Sequence, residues 1–146
     1  MAVIRGALPD DAAAVAEYLD ARLGDGRATP DLFHRLFAYR WMADKPNIGY
    51  LVEHDGRFRG FVGGIYSQRE IRGRRHSFCN IHSFAVDEAF RHMSLSMLKT
   101  LLERPECTYT CFSASPPVVQ ILTFFRFQTV DATNSVFQAA AGLARL

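Results

Sequence analysis

The stretch FAVDEAFRHMSLSMLKTLLE, Phe84 to Glu103, decides how the chain is read. Phe84 to Val86 closes an apolar strand. From Ser94 to Glu103, Met97, Leu98, Leu101 and Leu102 fall on one stripe of an amphipathic helix. The turn between the two contains no glycine. A turn of this kind that holds a ligand phosphate brings backbone N–H groups close to the anion and often takes positive φ, which glycine allows at no steric cost. With serine at Ser94 and Ser96, two readings stay open. The backbone donors, which need no particular side chain, still hold an anion, or Ser94 is an N-cap of a helix with no ligand.

Working outward, Val3 to Ala7 reads as a strand and Pro9-Asp10-Asp11 as a helix start, followed by Ala13, Val15, Ala16, Leu19 and Leu23 at helical spacing. Thr29-Pro30-Asp31 opens a second helix, in which Leu32, Phe33, Leu36 and Phe37 lead up to Trp41. These aromatics read as core, or as the wall of a substrate pocket, and the helix could pack against a second copy of the chain. Asn47 to His54 and Arg59 to Tyr66 flank Asp55-Gly56, a strong hairpin signal. Ser77 to Val86 is a longer strand, Thr108 to Phe112 another, and Pro116 to Phe125 a helix. Val130 to Phe137 reads as a last strand and Gln138 to Leu146 as a helix without a stop signal, which suggests that the natural chain continues. An antiparallel run followed by a βαβ unit predicts an α/β chain, with a mixed, mostly antiparallel sheet of six to seven strands flanked by about four helices.

With 146 residues, 49% of them hydrophobic and 22% charged, the chain reads as one domain over residues 1–146. The formal net charge is only +2, yet Arg57, Arg59, Arg69, Arg72, Arg74 and Arg75 cluster against a single Glu70. The cluster reads as a solvated loop or edge strand, with an anionic partner as the other reading. It lacks the aromatic interleaving or helical basic face of a nucleic-acid surface. Cys79, Cys107 and Cys111 are an odd number with no C-x-x-C spacing, so neither a disulfide framework nor a zinc site is expected, and a reducing compartment fits. There is no leader pattern and no apolar run near the ~18 residues of a membrane span, so a cytoplasmic protein away from membranes is expected.

The order of elements and the residues of the third quarter resemble the GNAT superfamily of N-acyltransferases. VIRGALPDDAAAVAEYL is similar to that family's opening strand and helix, HDGRFRGFVGGIYSQRE to its central hairpin, and SPPVVQILTFFRFQ to its last helix. HSFAVDEAFRHMSLSMLKTLL is similar to its cofactor motif, so the likeness spans about residues 3 to 131. The resemblance implies an acyl-CoA cosubstrate, acetyl-CoA or longer. The motif falls on Arg91, His92, Met93, Ser94, Leu95 and Ser96, with serine at both glycine positions. It further implies that backbone groups from Phe84, Ala85 and Val86 meet the acyl group. The family's asparagine falls on Ser115, its tyrosine on Leu122, and the glycine before the final phenylalanine on Arg126.

Acyl transfer from a thioester to an amine needs a base, a donor to the oxyanion and a route for a proton to the thiolate. The resemblance puts the base four residues before Val86, at His82, whose ordinary pKa suits proton transfer near neutrality. In a regular strand His82, Phe84 and Val86 share one face, and His76, Asn80 and His82 form a polar row expected to line a cleft. Leu122 cannot supply the proton, which leaves Ser115, Ser113 and Tyr109 as nearby candidates. Phe124, Phe125 and Phe127 read as core, or as a tunnel for a longer acyl chain. The acceptor is an amine on a small molecule or a protein. The competing reading is a GNAT-like domain that binds or regulates without catalysis.

Overall fold

The computed structural model describes residues 1–24 and 30–130. The strand and helix expected beyond Val130 lie outside them. Five strands, β1 (Val3–Ala7), β2 (Gly49–His54), β3 (Arg57–Ile71), β4 (Arg74–Val86) and β5 (Cys107–Thr110), form one sheet in that order. β1 to β4 pair antiparallel and β5 joins β4 in parallel. The sheet is mixed and mostly antiparallel as expected, with five strands among the described residues in place of six to seven.

Helices α1 (Ala12–Leu23) and α2 (Pro30–Phe37) cover one face. Val15, Ala16, Tyr18 and Leu19 of α1 and Phe33 and Phe37 of α2 bury themselves on Leu51 and Phe61 there. Helices α3 (Ser94–Leu101) and α4 (Pro116–Phe124) cover the other, where Met97, Leu98, Leu101 and Leu122 meet Val52, Val62, Tyr66, Cys79 and Ile81. The alternation Leu51/Val52 and Phe61/Val62 sends neighbouring side chains to opposite cores, as a strand buried on both sides requires.

α2 stops at Phe37, so Leu32 to Trp41 is not one helix; Leu32 and Trp41 are exposed while Phe33 and Phe37 are core. Phe124 is also exposed, whereas Phe125 and Phe127 pack on the α3/α4 core. Successive helical positions lie about 100° apart, so Phe124 and Phe125 cannot face the same side.

The Asp55-Gly56 turn has φ of 51° and 68°, the doubly positive pattern of a tight hairpin. A second turn of the same kind, Arg72-Gly73 with φ of 52° and 73°, joins β3 to β4. The arginine cluster is therefore in large part a hairpin, which extends past the ends of β2 and β5.

Candidate active site

The centre of β4 is not regular. Phe61 stands opposite Ala85 and Gly63 opposite His82, so Ser83 and Phe84 together face the single residue Val62. This is a β-bulge, and Ser83 takes φ 49° within it. The extra residue reverses the alternation. Phe84 and Val86 join the α3/α4 core, while Ala85 joins the α1/α2 core and the His82 ring lies 6.1 Å from that of Phe37. His82, Phe84 and Val86 do not share a face.

The bulge lies where the sheet opens. β5 pairs with β4 only over Ser77–Asn80, and past Asn80 the two chains part. A cavity of about 290 Å³ fills the gap, with Ile81 to Phe84 on one wall, Cys111, Ser113, Ser115 and Val118 on the other, and Leu23 and Phe33 closing it. His82 and Ser115 are thus brought together in one cavity. Ser115 precedes α4 as its N-cap residue, with an extended backbone (φ −70°, ψ 158°) and no capping bond from its hydroxyl.

Tyr109 is placed elsewhere. Its hydroxyl donates to the Leu101 carbonyl at 2.8 Å and accepts from the Arg104 N–H at 3.2 Å, closing the C-terminal end of α3. Burial pushes its pKa up to about 12. Leu122 is buried in the α3/α4 core. His76 is exposed on the β3–β4 hairpin, and Asn80 accepts a hydrogen bond from Thr110 at 3.2 Å. The polar row is split between a hairpin tip and a cleft.

His82 is only 9% exposed. Its Nδ1 lies 2.9 Å from Ser83 Oγ, and its Nε2 is buried with no hydrogen-bond partner among the described residues. The ring lies over the α-carbon of Gly63, so closely that a Cβ there would sit 2.3 Å from Nε2. A base needs a nitrogen free to take a proton; here Nε2 is buried against Gly63 and Nδ1 is engaged by Ser83. Desolvation pushes the His82 pKa down to about 4, so the ring is neutral at neutral pH.

That neutrality has a stability consequence. The folded-state value lies below the ordinary 6.5, so on acidification the unfolded chain takes up a proton first. Stability should therefore fall by about 3 kcal/mol between roughly pH 6.5 and 4 and then level off. Urea unfolding at pH 7 and pH 4.5, in wild type and His82→Gln, measures this. The substitution should remove that part of the acid loss, and an unchanged loss would place it on other groups.

The turn from Arg91 to Ser96 differs from a glycine loop. A 3-10 turn, Glu88–Met93, runs directly into α3, so the N-cap of α3 is Met93 and Ser94 is its first residue, with φ −57°. None of Arg91 to Ser96 has positive φ, so serine costs nothing there. The Ser94 N–H is already taken by the Arg91 carbonyl. The exposed side chains of Arg91, His92, Leu95 and Ser96 line the outer surface of this turn. Just before it, Asp87 accepts hydrogen bonds from Tyr18, Arg22 and Arg59, which hold its carboxyl below the usual range.

The sequence reading missed two features. Ser83 follows the candidate base directly, and a hydroxyl beside an imidazole was a signal available in the chain. The other is a larger cleft of about 790 Å³ on the His82 face of the sheet, lined by Trp41, Asp44, Ile65, Arg69, Asn80 and Phe112. Trp41 stacks on Tyr39 at 4.5 Å and donates to the Tyr66 carbonyl at 3.0 Å, which holds an exposed indole in the cleft wall. Among the described residues no group of His, Cys, Asp and Glu could hold a metal ion, and no helix is long and apolar enough to cross a membrane.

No family model and no curated protein matches the chain by sequence. Solved structures do match by shape. Glucosamine-6-phosphate N-acetyltransferase from Arabidopsis thaliana aligns with TM-score 0.66 at 15% identity, covering 94% of this chain and 98% of its own. A predicted acetyltransferase from Clostridium acetobutylicum, solved with acetyl-CoA, aligns with TM-score 0.68 at 13% identity over 94% and 96%. A GCN5-related N-acetyltransferase from Ralstonia eutropha aligns with TM-score 0.64 at 12% identity over 94% and 99%. At such identities the likeness is one of fold, and the fold of this chain is that of the GNAT N-acetyltransferases.

Proposed function

We propose that the chain is an acyl-CoA-dependent N-acyltransferase. The observation that carries this reading is the opening between β4 and the chain after β5, where a bulge sets Ser83 and His82 into a cavity of about 290 Å³. The acyl group would enter there, beside Phe84, Ala85 and Val86. The turn from Arg91 to Ser96 would meet the pyrophosphate through the Arg91 and His92 side chains and the serine hydroxyls, which add donors where a backbone N–H is already used. The amine acceptor would occupy the neighbouring cleft of Trp41, Asp44, Asn80 and Phe112, on the same sheet face as His82. When bound, the cosubstrate supplies an activated acyl group as its thioester, and the residues around it bind, orient and exclude water.

The 3-10 turn and the buried Leu122 favour a second reading, a GNAT-fold domain that binds a ligand without turning it over. One measurement bears on both readings. The melting temperature is read with CoA, acetyl-CoA and longer acyl-CoAs, each at about 100 times its dissociation constant, where binding adds about 2.7 kcal/mol. A rise of several degrees is expected, lost in a Ser94→Glu/Ser96→Glu double variant that sets negative charge against the phosphates. No rise with any of them would remove the acyltransferase reading. A rise without thioester consumption over a broad amine panel would select the second.

A further inference from the structure

We propose that Ser83 donates its hydroxyl hydrogen to the thioester carbonyl oxygen as that oxygen gains charge, and that His82 is the positioning residue holding the hydroxyl for this task. The inference rests on the acyltransferase reading above and names a residue for the same site.

The direction of the Ser83–His82 hydrogen bond decides the matter. A neutral imidazole carries one N–H. With the hydrogen on Nε2, a buried N–H would face the α-carbon of Gly63 with nothing among the described residues to accept it. Orphaned buried N–H groups are rarer in proteins than under-satisfied acceptors, and leaving one costs about 1–3 kcal/mol. With the hydrogen on Nδ1, it is donated to Ser83 Oγ over the observed 2.9 Å, and only a bare lone pair is left against Gly63. The second arrangement leaves the hydrogen of Ser83 free. Ser83 and His82 both line the cavity at the opening of the sheet, so that hydrogen has the cavity to point into.

Three further features suit a donor. A hydroxyl that accepts one hydrogen bond gives a stronger one, because a chain of hydrogen bonds polarises itself. The imidazole stays uncharged at neutral pH because burial desolvates it, so it carries a single N–H and leaves the other nitrogen as an acceptor only. Ser83 also holds φ 49°, a conformation that non-glycine residues take uncommonly and that clusters at functional sites.

The step balances without an outside oxidant or reductant. The amine nitrogen bonds to the carbonyl carbon, and the π pair moves to the oxygen, which the Ser83 hydroxyl stabilises. The pair returns, the C–S bond breaks and the thiolate leaves with its electrons. The amine's extra proton goes to solvent and the thiolate takes one from solvent, so Ser83 and His82 end as they began.

Two measurements test this. The first is nitrogen-15 NMR of the His82 ring in the intact chain, which needs no turnover. A hydrogen on Nδ1, with the signal altered in Ser83→Ala, is expected; a hydrogen on Nε2 reverses the bond and overturns the proposal. The second is thiol release from acetyl-CoA with glucosamine, spermidine and a lysine peptide as acceptors. If wild type turns over, Ser83→Ala should lose about 10²–10³ in kcat while the acetyl-CoA melting shift is kept, as when an oxyanion donor is removed. Ser83→Thr should recover part of the loss, and His82→Gln should lower kcat more than it changes KM. Turnover in Ser83→Ala within threefold of wild type overturns the donor role and leaves the acyltransferase reading standing. No turnover in wild type with any acceptor overturns the donor role and the acyltransferase reading together.

Discussion

Gly63→Ala should destabilise the protein by about 1–3 kcal/mol, the usual cost of forcing a carbon into a filled core, and that cost should vanish when His82 is also alanine. The added Cβ would lie 2.3 Å from Nε2, 2.4 Å from Cε1 and 2.8 Å from Cδ2 of His82, and these are the three nearest atoms to it. The obstacle is therefore one ring. In His82→Ala these three contacts are gone, and Gly63→Ala should become neutral or slightly stabilising through the lower entropy of the unfolded chain. A double-mutant cycle by urea unfolding should give a coupling of about 1–3 kcal/mol. Equal costs in the two backgrounds would mean that the ring does not lie over Gly63. In the single variant the ring is pushed off its place, so its bond to Ser83 should fail and turnover should drop as in Ser83→Ala.

Tyr66→Ala should cost about 3–5 kcal/mol, the range for emptying a large aromatic from a core. Tyr66 is 2% exposed and packs in the α3/α4 core. It also ties the chain before β2 to the sheet. Its hydroxyl donates to Asn47 Oδ1 at 3.0 Å, an oxygen that also accepts the Gly49 N–H at 3.1 Å. Its backbone N–H donates to the Tyr39 hydroxyl at 2.9 Å, and its carbonyl accepts from Trp41. Tyr66→Phe keeps the ring and the backbone bonds and removes only the hydroxyl, while Gly49 still satisfies Asn47. It should cost about 1 kcal/mol. Urea unfolding of the two variants separates packing from hydrogen bonding, and near-equal losses would assign the effect to the hydroxyl instead.

The order of elements was legible because each carries a local signal. Val15, Ala16 and Leu19 are spaced for a helix, Asp55-Gly56 can close a hairpin, and Met97, Leu98 and Leu101 mark one face of α3. The Arg72-Gly73 turn was not read, because the residues flanking it, from Ser67 to Glu70 and from Arg74 to Ser77, are polar and show no apolar alternation. The bulge left no mark either, since nothing in His82-Ser83-Phe84 announces a serine at φ 49°. One unread residue then turned the expected face of everything after it, which is how His82 and Phe84 were assigned together. The neutral state of His82 depends on Gly63 and Phe37, residues distant in sequence, so strand periodicity could not supply it. Trp41 could be named as core or pocket wall, and only its exposure at the larger cleft excludes the core.

The long β3–β4 hairpin carries a hazard of its own. Beyond Ser67 on one strand and before Ser77 on the other, its outer edges have no neighbouring strand among the described residues. Unpaired edges of this kind are templates for another chain, and the apolar Ile71 lies exposed near the tip. Arg69, Arg72, Arg74 and Arg75 are all exposed there, and none pairs with a carboxylate among the described residues. Two such hairpins meeting edge to edge would bring guanidinium groups against one another. Like charge at these positions thus opposes templated growth along an open ladder.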